Sequence, residues 1–379
     1  MEKVLVKVTR KTGKNPGIEI VTWDGNKFEK YLDTKYLDEI PPNVSGVQSY
    51  MLRKKLRALD IVDVEPRGDG SVDVIPLGER YVPIDDILVF DTEVVMKDYN
   101  RLGKNPLVVI SMKRGTGSIE SHVRYREEGI EREVEIINTL DDIIRKTLLI
   151  VTYGGDGFDL RYLYERSKEI RRNYKLKPHI DVKFGYDYST FRKGRAAEVP
   201  GIHIDMLHPC KNLLPFPSVS LESMGEYLGM RKIGSGETVR KLYFEMRIDE
   251  ITRHCVRDVE ISFELARYIL PLLFDLSELV YANLSTVCRA NTLKLLELMV
   301  LSSKRRSIDD KDSKIIDEML KRIWRGKEKS RKKVVKKLEE GLHKVEFYDL
   351  SPIWLKAFDE TCLPEELEST VRILKRKYE

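Results

Sequence analysis

The sequence predicts an α/β protein with a β-rich segment ahead of its core and a helical segment behind it. Three observations predict this. Residues 1–85 hold short apolar runs of strand length, broken by Gly, Pro and Asn. Residues 86–270 alternate such runs with stretches of helical periodicity, and residues 271–379 are largely helical in pattern.

Within the first segment, strands are expected at VLVKV, GIEIVTWDG and SVDVIPLG, with a helical piece near Val47–Ala58. The second segment offers strands at ILVFDTEVV, NPLVVISMK, SHVRYR and TLLIVTY. Helices are expected at Glu131–Lys146, through FDLRYLYERSKEIRRN, at Leu221–Leu228 and at Ile248–Leu270. Between Tyr188 and Asp205 a Gly-containing basic stretch predicts a hairpin or loop leading into a strand. In the third segment Ser277–Leu301 is apolar at helical spacing and Asp309–Leu338 is charged. KVEFYDL reads as a strand, and a last helix opens near Pro364.

A chain of 379 residues, 41% hydrophobic and 34% charged, has the length for two or three domains. No apolar run reaches the roughly eighteen residues of a membrane helix, and MEKVLVKVTR lacks the apolar core of a signal peptide. Cys210, Cys255, Cys288 and Cys362 lie far apart, which argues against disulfides and zinc and fits a cytoplasmic protein. The net charge of +5 is mild, so any nucleic-acid surface has to be sought in local clusters.

Three stretches carry chemistry. In IDDILVFDTEVVM, Asp91 and Glu93 stand two apart on an apolar strand and point to one side. They are either a strand end turning into solvent or a pair of oxygen ligands for Mg²⁺ or Mn²⁺. In TYGGDGFDLRYL, three glycines form a turn and Phe158-Asp159 opens a helix, where a carboxylate also serves as a plain cap. In ITRHCVRDVEISFELARYI, His254 and Asp258 stack four apart on an amphipathic helix whose expected buried positions are Ile251, Cys255, Val259, Phe263 and Ile269. An ordinary surface pair accounts for that spacing equally well. Between Lys321 and Lys337 ten Lys or Arg stand against one acid, Glu328, as a solvated helix face or a phosphate-contacting one.

In this order the three stretches resemble the motifs of DEDD 3′–5′ exonucleases, and their wording is similar to the proofreading domain of archaeal family B DNA polymerases. VPGIHIDML and SLESMGEYLG resemble the strand and helix those enzymes place before the third motif. The likeness spans about residues 85–305. It implies an RNase H-like 3′–5′ exonuclease core with a mixed sheet over 86–270, a small β-rich domain over 1–85, and over 271–379 a helical region with a partial, degenerate palm. It also implies two divalent ions, Mg²⁺ or Mn²⁺, held by Asp91, Glu93, Asp159 and Asp258 about 3.5–4 Å apart. Two departures stand out: Gly154 where the family usually has Asn, and His254 where it usually has Tyr. His254 is a candidate for orienting or deprotonating the water. Candidate DNA contacts are Phe158, then Arg192, Lys193 and Arg195, then Lys321, Arg322, Arg325, Lys329, Lys332, Lys333 and Lys336.

VEFYDLSPIW is a poor match to the first palm strand, with Asp349 in the metal-binding place, and neither a fingers pattern nor a second palm Asp-Thr-Asp follows. The expectation is a nuclease on single-stranded 3′ ends or frayed primer termini, nucleoid-associated and without polymerase activity of its own. Such a chain is a truncated, split or degenerate polymerase, and the first two demand a separate chain with the rest of the palm, docked near Ile353, Trp354 and Leu355. The rival is a catalytically weak relative that grips DNA or a replication partner.

Overall fold

Alternating apolar side chains sort the first eighty residues into one antiparallel sheet. The computed structural model describes residues 2–290 apart from 13–14, 37–45, 82, 84, 99, 188–193, 214–217 and 231–235, together with 295 and 298. Strands β1 (Lys3–Lys11), β2 (Gly17–Trp23) and β3 (Phe28–Asp33) precede helix α1 (Gly46–Lys54), and β4 (Asp60–Pro66) and β5 (Val72–Arg80) follow it. The order across the sheet is β3-β2-β1-β4-β5, antiparallel throughout. One face packs Leu5, Ile18, Ile20, Val62 and Val74 against Tyr50 and Met51 of α1. The other sends Val4, Val6, Val21 and Trp23 into the main core. β3 and β4 escape the sequence pattern for a plain reason. FEKYLD has one buried position and DIVDVEP is interleaved with acids, so neither shows a clean apolar run.

The second sheet holds β6 (Ile87–Val94), β7 (Leu107–Arg114) and β8 (Ile119–Val123), then β9 (Leu149–Thr152) and β12 (Ile202–Asp205). Between them lie helices α2 (Ile130–Ile144) and α3 (Asp159–Tyr174) and the hairpin β10 (Lys183–Asp187) and β11 (Gly194–Glu198). The order is β12-β9-β6-β7-β8, with β12, β9 and β6 parallel and β6, β7 and β8 antiparallel: the mixed sheet expected of an RNase H-like core. Helices α4 (Leu207–Asn212), α5 (Leu221–Tyr227), α6 (Gly236–Phe244), α7 (Ile248–Val280) and α8 (Leu284–Arg289) complete the described chain.

The central strand β6 is covered on both sides, and its parity assigns each residue a helix. Leu88 and Phe90 pack with Ile136, Ile137 and Leu140 of α2 and Leu160 and Leu163 of α3. Ile87 and Val89 face the opposite way, into the core that holds Val259, Leu265 and Ile269 of α7. β9 pairs with β6 only as far as Val89, so the strand runs on past its parallel neighbour.

Helix α7 corrects the sequence reading at its C-terminal end. It passes through Pro271 and stops at Val280, ten residues beyond the expected Leu270. Nor is 277–301 one helix, because Tyr281 closes α7 in the left-handed region at φ +48° and α8 starts anew at Leu284. Asn283 fixes the break. Its Oδ1 accepts from Val8 N–H at 2.9 Å while its Nδ2 donates to Val8 O at 2.6 Å, tying the joint to β1. Phe263 is half-buried, whereas Ile251, Cys255, Val259 and Ile269 are buried as expected. The charged 309–338 stretch, the 345 strand, Asp349, Trp354 and the last helix lie outside the described residues.

Glu133 of α2 is fully buried and held by Arg166 of α3, whose Nε and Nη2 donate to its two oxygens at 2.7 and 3.0 Å. Arg166 Nη1 also donates to Gly103 O at 2.9 Å, so one guanidinium ties α2, α3 and the turn at Leu102–Lys104. Arg166→Met strands a buried carboxylate and should cost about 3–5 kcal/mol in denaturant unfolding, moderated by Arg124 at 3.4 Å. Adding Glu133→Leu should recover most of the loss.

Candidate active site

The parity that buries Ile87 and Val89 under α7 carries on to Asp91 and Glu93. α7 supplies their partners. Cys255 Sγ–H lies 3.4 Å from Asp91 O and 3.5 Å from Asp91 Oδ2, and His254 Nδ1 lies 3.0 Å from Glu93 Oε1. Burial, with the Asp91 and Glu93 charges beside it, pushes the Cys255 thiol well up, so it stays protonated and donates. One turn on from His254, Asp258 is also buried. Donor atoms of Glu93, His254 and Asp258 all lie within 4.8 Å of one another. The Asp-x-Glu pair is therefore no strand end turning into solvent, and the His254–Asp258 pair is no surface pair.

Thr92, between the two acids, faces the other helix. Its N–H and Oγ1–H both donate to Asp159 Oδ1, at 3.2 and 2.7 Å. Asp159 is the first residue of α3, as expected, and is 2% exposed. Burial, reinforced by the Asp205 charge, raises its pKa to about 7 against the two Thr92 hydrogen bonds. Asp91 and Asp159 stand outside the Glu93–His254–Asp258 group. The structure thus gathers the five expected residues around three consecutive positions of β6, three of them tightly. At the same end a bulge in β7 opposes Glu93 and Val94 to Val109 and Leu107, skipping Val108.

The turn ahead of Asp159 is built by carboxylates that sequence reasoning passed over. Asp205, at the end of β12, accepts from Gly154 N–H at 2.6 Å and Leu207 N–H at 3.1 Å on one oxygen, and from Asp156 N–H at 3.0 Å on the other. Asp156 in turn accepts from Ala197 N–H at 2.7 Å, from His208 at 2.9 Å, and from Arg289 at 2.8 and 3.0 Å. Burial alone would raise the Asp156 pKa, but hydrogen bonds from His203 and His208 and the Arg289 charge hold it well below the usual carboxylate range. Gly154 sits at φ +84°, where only Gly and, less readily, Asn are at ease. Its replacement of the family's usual Asn therefore preserves the turn. A Cβ on Gly155 would run into Thr152 Oγ1.

Phe158, stacked on Tyr162 with centroids 6.2 Å apart, lines a cleft of about 880 Å³ beside Asp159. Arg101, Lys104, Arg161, Lys168 and Arg172 line the same cleft, with Glu165 and Glu169 among them. The sequence held a signal for Arg161, Lys168 and Arg172, which recur at i, i+7 and i+11 on one face of α3. Arg192, Lys193 and the 321–337 run lie outside the described residues, and of Arg195 only the backbone is described. Cys210, Cys255 and Cys288 are free and buried, and no helix among the described residues is long and apolar enough to cross a membrane.

Residues 88–224 match the family described as DNA polymerase family B, exonuclease domain. This stretch is similar to the exonuclease domain of family B DNA polymerases. The DNA polymerase of Pyrococcus glycovorans is 25% identical over 256 residues, covering 60% of this chain and 32% of the relative. That of Thermococcus kodakarensis is 24% identical over 60% of this chain and 15% of its own length. The chain thus spans a third or less of these two relatives. The solved structure of the family B DNA polymerase from Pyrobaculum calidifontis superposes with a TM-score of 0.61 at 18% identity, covering 81% of this chain and 50% of that one, and shows the shared fold. Exonuclease domains of this family use divalent metal ions, and the Glu93–His254–Asp258 donor set fits one: two carboxylates and an imidazole bring ligand atoms within 4.8 Å of one another.

His208, partly exposed, gives the turn a pH signature. Burial opposes its protonation, but Asp156 and Asp205 outweigh that and raise its pKa above the ordinary 6.5. Its contribution to stability is complete below pH 6.5 and is lost as pH rises through the raised value. Melting temperature should fall over that range in the native chain, and His208→Gln should flatten the slope.

Proposed function

We propose that the chain hydrolyses DNA one nucleotide at a time from a 3′ end, using Asp91, Glu93, Asp159 and Asp258 to hold two divalent cations, Mg²⁺ or Mn²⁺. The observation that carries the proposal is the convergence of motif residues from β6, α3 and α7 on three consecutive positions of one strand. When bound, such cations lower the pKa of a water and neutralise charge on a leaving oxygen. The chain's own groups arrange the rest. Glu93 and Asp258 present their carboxylates from facing elements, Thr92 orients Asp159, and the Cys255 thiol orients Asp91. Water oxygen bonds to the terminal phosphorus, the bond from phosphorus to the 3′-oxygen breaks, and that oxygen takes up a proton. A nucleoside 5′-monophosphate leaves.

The basic cleft supports a single strand as substrate. Arg101, Lys104, Arg161, Lys168 and Arg172 outnumber Glu165 and Glu169 in its lining and supply charge for phosphates, and Phe158 offers an aromatic edge to the terminal base. Arg192, Lys193, Arg195 and the 321–337 run are proposed as further contacts. Nucleotidyl transfer is no part of the proposal.

A 5′-labelled single strand with Mg²⁺ or Mn²⁺ should yield a ladder shortening from the 3′ end. Asp91→Ala and Asp258→Ala should each remove it while the circular dichroism spectrum stays native. A gel shift with no ladder under either metal would instead favour a DNA-gripping relative. Arg161→Glu paired with Arg172→Glu should raise KM more than it lowers kcat and weaken the salt dependence of binding.

A further inference from the structure

His254 is the feature that most separates this site from the family pattern, and its surroundings define what it does. The imidazole is 2% exposed, enclosed between β6 and α7 beside Glu93 and one turn before Asp258. Its Nδ1 stands 3.0 Å from Glu93 Oε1, the separation of two neighbouring ligands on one ion with bonds of about 2.1 Å. A tyrosine at this position offers a neutral phenol at the end of a longer side chain, whereas a neutral imidazole is a first-rank nitrogen ligand.

We infer that His254 is itself a metal ligand, completing a Glu93–His254–Asp258 site that selects a first-row transition ion such as Mn²⁺ over Mg²⁺. Mg²⁺ favours an all-oxygen octahedron and gives up water reluctantly, while imidazole nitrogen suits the transition ions. The donors come from two rigid elements, a central strand and a 33-residue helix, so the site is set by the fold rather than by a loop. His254 accordingly touches the cation rather than serving as a free base for the attacking water.

The chain contains its own contrast. Asp156, Asp205 and His208 also bring ligand atoms within 4.8 Å of one another. There Arg289 already lies on Asp156 through two hydrogen bonds, and Asp205 is taken up by three backbone N–H groups. That cluster is a structural knot with its positive charge built in. At Glu93 the neighbour from α7 is instead an imidazole nitrogen, which in its neutral form is itself a metal ligand.

The inference rests on the metal-dependent reading above, and the decisive test needs no turnover. The 379-residue chain without DNA is titrated with Mn²⁺, followed by electron paramagnetic resonance, and with Mg²⁺, followed by calorimetry. Wild type should prefer Mn²⁺ by about tenfold or more, with electron spin-echo modulation from directly coordinated ¹⁴N. His254→Gln replaces the nitrogen by an amide oxygen. It should abolish the ¹⁴N modulation and lower Mn²⁺ affinity about tenfold while changing Mg²⁺ affinity less than about threefold. Wild type without ¹⁴N modulation, or a variant that loses both metals equally, overturns the ligand role. His254→Tyr, which restores the family's usual residue, guards against a folding defect and should bind Mn²⁺ and Mg²⁺ more evenly. Nitrogen coupling without any DNA hydrolysis would sink the nuclease reading and leave the ligand standing; hydrolysis without nitrogen coupling would do the reverse.

Discussion

The two-residue period of one buried strand governs this site. β6 is sandwiched between α7 on one face and α2 and α3 on the other, so each step along it hands a side chain to a different helix. Asp91 and Glu93 fall to α7 and Thr92 to α3 because Ile87 and Val89 precede the acids, and Leu88 and Phe90 precede the threonine. A slip of one residue in register would bury the acids against Leu160 and Leu163 and expose the apolar row to His254. The packing that excludes such a slip is the same packing that assembles the polar site. Core and chemistry are here specified by one pattern.

Around that strand, buried charge is matched locally. Glu133 takes Arg166, Asp156 takes Arg289 and His208, and Asp205 takes backbone N–H groups. Each knot lies where the chain must turn or cross, and each holds its turn against the entropy of the free chain. The candidate metal group joins acids of β6 and α7 through a nitrogen ligand. Two carboxylates meet an imidazole whose charge depends on its proton, which suits a place where a cation is to be exchanged.

Much of this was legible in the sequence because it rests on short periods. The apolar run before Asp91, the glycines before Phe158 and the four-residue step from His254 to Asp258 all report local geometry. Other features stayed hidden for equally physical reasons. The pairing of His254 with Glu93 spans 161 residues and follows from how α7 crosses the sheet, which no local pattern records. The Asp156–Arg289 pair spans 133 residues, and in sequence each partner looks like a loop or helix-end charge. Pro271 pointed to a helix end at Leu270, yet tertiary packing of Leu270, Leu273 and Phe274 carries α7 past it. β3 and β4 were missed because β3 buries one side chain in six and the buried Val62 and Val64 of β4 alternate with Asp63 and Glu65, so neither shows an apolar run.

The joint at Asn283 bears on how the chain can be divided. α7 carries two of the three tightly grouped metal-site candidates near its start. At its far end Glu278 pairs with Arg57 and Arg80 while Asn283 hydrogen-bonds to β1 in both directions. The leading sheet therefore acts as the abutment of a lever whose other arm sets His254 and Asp258 over β6. A nuclease cut free at residue 85 would keep every motif residue and lose the footing that aims two of them.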